Sequence, residues 1–369
     1  MSSSRWRTLV VAGIGGAILV SALAACGSTS ESVANGKNCK HIAFLLPESA
    51  TAARWEADDH PDVVAAIQQD LPGATVDVTN AQGNATTQQT QADSALSKGA
   101  CILVVAPFDS TASAAIVTKA KASNVPVISY DRLIQSDDLA YYASFDGVDV
   151  GKKQGQYIAD HYKDFVSAGH NNLVMIKGSD TDNNAHLFGD GAHQVLDPLI
   201  TAGTLKNAYE QYTPDWANDK AQTEMEAALT ANHNDVQIAY VMNDGMANTV
   251  IAALKAQRLN KKVLVTGQDA EVSGVRNILL GDQQMTVYKP ITKLADSVGK
   301  VVGAISAGSD TSSIANATVQ TTDGKAIRSI LNQVTMVDIS NVKDTVIADG
   351  FVSKLDVCKD VPAGAGGVC

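Results

Sequence analysis

No run of lysine or arginine interrupts the 369 residues, and 28 basic side chains face 39 acidic ones, a net charge of −11. Nucleic-acid binding draws most of its affinity from neutralising phosphates, so this deficit excludes DNA and RNA as expected partners. After the first 25 residues, no stretch approaches the ~18 consecutive apolar residues of a membrane-spanning helix. Also missing are a nucleophile elbow, a metal-spaced pair of His or Cys, and an EF-hand calcium loop. The seven His are scattered. His186 and His193 stand at i and i+7, as surface side chains of one helix face without ligand neighbours. Neither a catalytic group, a cofactor nor a metal is expected. Low complexity is absent too. With 45% hydrophobic and 18% charged residues, the chain is globular, of a length that suits one large or two medium domains of ~100–200 residues.

Residues 1–25 read as a targeting segment. Arg5 and Arg7 give it a positive start, and residues 9–20 form an apolar run too short to span a bilayer. Leu23-Ala-Ala-Cys26 resembles a bacterial lipobox, which implies cleavage before Cys26 and lipid attachment there. The protein is then exported and anchored to the outer face of the cytoplasmic membrane; a simple secretory signal is the alternative. Residues 26–38, small and polar, suit a flexible tether. Four cysteines follow: Cys39, Cys101, Cys358 and Cys369. An even number in an exported chain favours disulfides, and three pairings exist. Cys39 and Cys101 each stand just before an apolar strand run. If those strands are sheet neighbours in register, the two sulfurs meet, and Cys358 with Cys369 closes a tail over 358–369.

The apolar run 41–46 (HIAFLL) reads as a parallel strand covered on both faces. Strands are expected at 74–79, 101–106, 125–132 and 141–145, alternating with helices at 61–70, 86–98 and 110–122. Arg54-Trp55 lies in or just after the loop that follows the first strand. The pattern then restarts, with helices at 151–162, 184–199, 217–231 and 246–256. Strands at 172–176, 205–212, 238–242, 263–266 and 283–288 accompany them, and a long helix covers 291–306. This alternation implies an α/β fold of two doubly wound parallel-sheet domains with right-handed crossovers. Ligands of such sheets sit outside the carboxyl ends of the strands and at domain interfaces.

Polar residues gather at those strand ends. The first half gives Arg54-Trp55, Asp131-Arg132 and Asp146. The second gives Asp182-Asn183-Asn184, Trp216, Asn243-Asp244, Gln268-Asp269 and Lys289. Carboxylates accept, guanidinium and ammonium groups donate, and amides do both, so together they satisfy several neighbouring hydroxyls. Tryptophan adds a flat apolar wall for the C–H face of a sugar ring. Plainer readings stand beside this one. Asn183, Asn243 and Asp269 are also residue types that cap helices or make turns. Trp55 and Trp216 also suit a half-buried core, and Lys289 a solvated helix end. Asp131 and Asp269 facing one another across a cleft would suit glycoside hydrolysis.

The segments YDRLI (130–134), TDNNA (181–185), GQDA (267–270) and MTVYKPI (285–291), in this order, resemble the periplasmic-binding-protein type I sugar binders of ABC importers. Within that family the resemblance is greatest to its D-xylose-binding branch. VTNAQGNATTQQTQ (78–91) and KDTVI (343–347) extend it over nearly the whole mature chain. The resemblance implies a monomer that closes by a hinge around one monosaccharide, D-xylose, and delivers it to an ABC permease with its ATPase. It implies sugar hydrogen bonds from Arg54, Asp131, Arg132, Asn183 or Asn184, Asn243, Asp269 and Lys289, with Trp55 and Trp216 sandwiching the ring. It also implies three crossovers, near Asp146, Lys289 and Lys325. The first domain then comprises 39–145 plus about 290–325, and the second 146–289 plus about 326–357. The alternatives are another aldose (ribose, arabinose, glucose or galactose), a sugar sensor, or a secreted carbohydrate-active hydrolase. The four cysteines, the tail and the loop 47–53 depart from the branch pattern, and the last leaves selectivity among pentoses and hexoses open.

Overall fold

The structure, a computed structural model, describes residues 34–369. The leader, the lipobox with Cys26 and most of the expected tether lie outside the described residues. The tether ends sooner than expected. Gly36, at φ 79°, lies where a Cβ would come within 2.7 Å of Ile305, and Asn38 N–H donates to the Ser306 carbonyl at 2.7 Å. Residues 36–38 thus already belong to the folded body.

The first half alternates as its sequence pattern requires. In order come β1 (His41–Leu46), α1 (His60–Asp70), β2 (Thr75–Asn80), α2 (Ala85–Ser97), β3 (Ile102–Val105), α3 (Ala114–Ala122), β4 (Val127–Tyr130) and β5 (Tyr141–Phe145). Every residue of β3, β4 and β5 is buried, as a parallel strand covered on both faces must be. β2, at the sheet edge, alternates exposed and half-buried positions instead. Asp59 precedes α1 in a helical turn (Trp55–Asp59), so Trp55, expected in or just after a loop, opens a helical segment.

The second half contributes α4 (Gly147–His161), β6 (Asn172–Lys177), α5 (Asn183–Thr201), β7 (Lys206–Tyr212), α6 (Asn218–Ala231), β8 (Ile238–Val241), α7 (Asp244–Ala256), β9 (Leu264–Val265), α8 (Val272–Leu280) and β10 (Met285–Tyr288). α8 was not expected. β6–β9 form a parallel sheet in the order β7-β6-β8-β9. α4 and α5 cross at backbone contact: a Cβ on Gly151 would sit 1.9 Å from the Phe188 carbonyl oxygen, and one on Gly191 2.1 Å from that of Val148. This glycine-mediated crossing brings Phe188 to the end of the sheet.

The chain then returns. α9 (Ile291–Ala307) packs on α1, and β11 (Ala317–Gln320) and β12 (Ala326–Asn332) form a hairpin whose second strand runs parallel to β5. The first sheet therefore has the order β11-β12-β5-β4-β3-β1-β2. This corrects the expected crossover near Lys325, because residues 326–332 pair within the first lobe and the chain leaves it only after Asn332. β13 (Thr335–Asp338) pairs antiparallel with β10 in the second lobe. The 358–369 segment is not a separate tail. Val357 and Val368 share a core with Val275, Val337 and Val346, next to α10 (Lys354–Val357). Disulfides join Cys39 to Cys101, with Cα atoms 5.6 Å apart, and Cys358 to Cys369, 5.4 Å apart. The first bridges neighbouring parallel strands, since Ile42 stands opposite Ile102 in the β1–β3 register.

Candidate functional site

The carboxyl ends of both sheets open on one cavity between the lobes, lined by Arg54, Trp55, Asp131 and Arg132 from the first and by Asp182, Asn184, Phe188, Trp216, Asn243, Gln268 and Asp269 from the second. Lys289, at the crossover, also lines it. Three of these residues hold a left-handed backbone, Asp131 at φ 58°, Trp216 at 57° and Asp269 at 92°. That conformation is uncommon outside glycine, and such strain concentrates where structure serves a site. At Asp131 it is fixed by the residue's own carbonyl, which accepts from Tyr142 Oη at 2.9 Å and Ser144 Oγ at 2.5 Å.

Ionised groups alternate around the cavity. Arg54 donates through Nε and Nη2 to the two oxygens of Asp59, both at 2.8 Å, and Nη2 reaches Asp131 at 3.1 Å. Its Nη1 lies 3.6 Å from Asp269, across the cleft. Lys289 Nζ stands 2.8 Å from Asp269 and 3.9 Å from Asp131. Arg132 Nε pairs with Asp182 at 2.8 Å, and the same Asp182 oxygen accepts from Trp216 Nε1 at 3.1 Å. Asn184 Nδ2 completes the ring, 3.2 Å from Asp131 Oδ1. All seven charged groups are buried. Burial of this kind is tolerable only with partners on every side.

The fields follow from the pairing. Burial alone would raise the Asp131 pKa, but Arg54, Lys289 and Arg132 outweigh it and pull the carboxyl down to about 2. Burial likewise opposes the charge of Arg54, and Asp131 and Asp59 more than restore it. Asp182 is raised, because its burial exceeds what Arg132 returns. The guanidinium carbons of Arg54 and Arg132 lie 4.6 and 5.2 Å from the centroid of Trp55. Trp55 Nε1 and Gln268 Oε1 are buried without a protein partner. A buried donor and acceptor in this state are costly, and a polar occupant of the cavity would satisfy them.

Nine of the ten residues expected to hold a ligand line this cavity, and Asn183 does not. Adjacent helical side chains diverge, so Asn184 faces inward while the Asn183 carboxamide accepts from Gln135 Nε2 at 2.8 Å. Asn243 caps α7 through the Met246 N–H at 2.9 Å and lines the cavity as well. Asp146 caps α4 through the Asp149 N–H. Asp244 turns away to bracket Thr286, Gln283 and the Glu271 N–H. Asp59 was missed, although it anchors Arg54 and accepts from Tyr130 Oη at 2.5 Å. Phe188 was missed as well. An acidic residue five positions after Arg54 was the available signal for Asp59; Phe188 gave none beyond helical periodicity. His193 is not isolated as expected: it contacts Asp197 and Glu210 at 2.8 and 3.1 Å. Among the described residues no group of three or more His, Cys, Asp or Glu side chains could hold a metal ion.

The model of the periplasmic binding protein domain matches residues 42–310. A D-xylose-binding periplasmic protein of Haemophilus influenzae is 37% identical over 82% of this chain and 87% of its own length. Its Escherichia coli counterpart is 36% identical over 81% and 87%. A carbohydrate-transporter solute-binding protein of Chloroflexus aurantiacus, solved with D-glucose, superposes with a TM-score of 0.76 at 33% identity, covering 85% of this chain and 97% of that one. The two lobes, their threefold connection and the cavity at their strand ends are the periplasmic-binding-protein type I fold, and the chain belongs to the periplasmic binding protein domain family.

Proposed function

We propose that this protein is the extracytoplasmic receptor of an ABC sugar importer, closing by a hinge around one D-xylose molecule in the interlobe cavity. The observation that carries this reading is the ring of Arg54, Arg132, Lys289, Asp131, Asp182 and Asp269 around one buried cavity, with Asp59 holding Arg54 from outside it. Such a ring offers strong donors and acceptors in turn, with no surplus of cations to prefer an anionic sugar derivative. Trp55 and Trp216 supply apolar faces for the ring carbons. Ligand contacts from both lobes favour the closed state by differential affinity. D-xylose is supported by the two relatives named for that sugar.

A second aldose is favoured by one specific observation, the glucose in the Chloroflexus structure. Calorimetric titration against xylose, ribose, arabinose, glucose and galactose separates the two. The expected result is one-to-one binding with xylose tightest. A tighter hexose would transfer the specificity and keep the receptor role, and failure of all five sugars would overturn the reading.

The partners are a permease with its ATPase, and the anchor is a lipid on Cys26, so a Cys26→Ser variant is expected to leave the membrane fraction. Glycoside turnover is not part of the function. The two relatives named for D-xylose are binding proteins, which supports a receptor without turnover.

A further inference from the structure

Outside the cavity, the lobes also meet through four groups that do not line it. Ser110, on the loop after β3, donates its N–H to the Thr181 carbonyl at 2.9 Å. Its hydroxyl accepts the Asn183 N–H at 3.0 Å. Gln135, on the loop after β4, donates its N–H to the Ser110 carbonyl at 2.8 Å and its Nε2 to the Asn183 carboxamide oxygen at 2.8 Å. The Oε1 of Gln135 is held in turn by the N–H and hydroxyl of Thr322, at 2.8 and 2.9 Å, in the turn between β11 and β12.

Asn183 opens α5, and the first N–H groups of a helix have no partner within it. Asp182 serves the Asn184 N–H. The Asn183 N–H is served from the opposite lobe, so this helix end is fully capped only when the lobes are together.

We propose that Ser110 and Gln135 of the first lobe and Thr181 and Asn183 of the second form a closure latch. It sets how long a ligand stays without touching the ligand, and the β11–β12 turn steadies it through Thr322. The reasoning builds on the sugar-receptor reading. A contact present only in the closed state multiplies affinity for every ligand by one factor, because each ligand draws on the same closing equilibrium. Asn183 and Gln135 are thus positioning residues.

Two experiments test this. In rapid-mixing measurements, Gln135→Ala and Asn183→Ala should each speed release of the preferred sugar about three- to tenfold, the worth of one hydrogen bond. The association rate and the ratio of affinities for two sugars should not move. Asn183→Asp, which keeps an acceptor for Gln135, should restore slow release. Unchanged release, or a changed selectivity ratio, would overturn the latch. The second experiment compares the ligand-free and sugar-saturated protein: hydrogen exchange of segment 180–186 should slow on closure in the parent and slow less in Ser110→Ala and Gln135→Ala. Equal slowing in parent and variants would overturn the latch alone, whereas a parent that binds none of the five sugars would overturn the sugar reading and with it the latch.

Discussion

Gly178 and Trp216 share one space. A Cβ on Gly178 would fall 2.1 Å from the Trp216 ring, far inside contact distance, and the ring can lie there only because position 178 carries no side chain. The ring is held in place by the Nε1 bond to Asp182 and by edge contact with Phe188, centroids 6.3 Å apart. Gly178→Ala should therefore displace the tryptophan rather than unfold the lobe. The expected outcome is sugar affinity lowered at least about tenfold, with a modest destabilisation of about 1–3 kcal/mol from overpacking. Titration and thermal unfolding read the two effects, and unchanged affinity would contradict the placement of Trp216 against the ligand.

His193 and Glu210 make a pH-dependent clasp at the edge of the second sheet. The hydrogen bond to Glu210 raises the half-buried His193 to about 9 against burial, with Asp197 adding to the rise. Glu210 falls to about 2, chiefly through the same bond. Because the folded pKa of His193 lies above its ordinary 6.5, its contribution is complete below that value and fades as pH rises through about 9. The Glu210 contribution is present above 4.5 and is lost as pH falls through about 2. The melting-temperature gap between the parent and His193→Gln should thus be wide at pH 6 and narrow above pH 9. A gap of constant width would contradict the clasp.

The two disulfides differ in span, 62 residues for Cys39–Cys101 and 11 for Cys358–Cys369. Loop-closure entropy assigns about 4 kcal/mol to the long loop and about 3 kcal/mol to the short one. Denaturant midpoints of the paired Cys→Ser variants measure both. The Cys39→Ser/Cys101→Ser protein should lose more stability, and the reverse order would show that native-state packing outweighs chain entropy here.

Legibility of the chain followed the physics of each part. β1 and β5 were readable to the residue, because parallel strands covered on both faces are nearly continuous apolar runs, interrupted here only by His41 at the start of β1 and Ser144 in β5. β12 was not. AIRSILN alternates buried and exposed positions, and only its parallel register with β5, nearly two hundred residues earlier, makes it part of the first lobe. That is why the last crossover was read at Lys325 instead of after Asn332. In the site, charged residues at strand ends were visible, as topology fixes where strand ends point. The choice between Asn183 and Asn184 was not, since it rests on the rotation of a helix whose first residue is capped from the opposite lobe. Asp59 stayed hidden because its burial depends on Tyr130, a contact 71 residues distant.

Asp269 is the residue on which both lobes converge, with Arg54 3.6 Å away on one side and Lys289 2.8 Å away on the other. Calorimetric titration of D-xylose into the mature chain and into its Asp269→Ala variant, with folding of both checked by circular dichroism, tests the central claim most directly. One-to-one binding in the parent, weakened at least about tenfold in the folded variant by loss of a charged hydrogen-bonding partner, is the predicted result. Equal binding in the two proteins would place the sugar elsewhere and contradict the account.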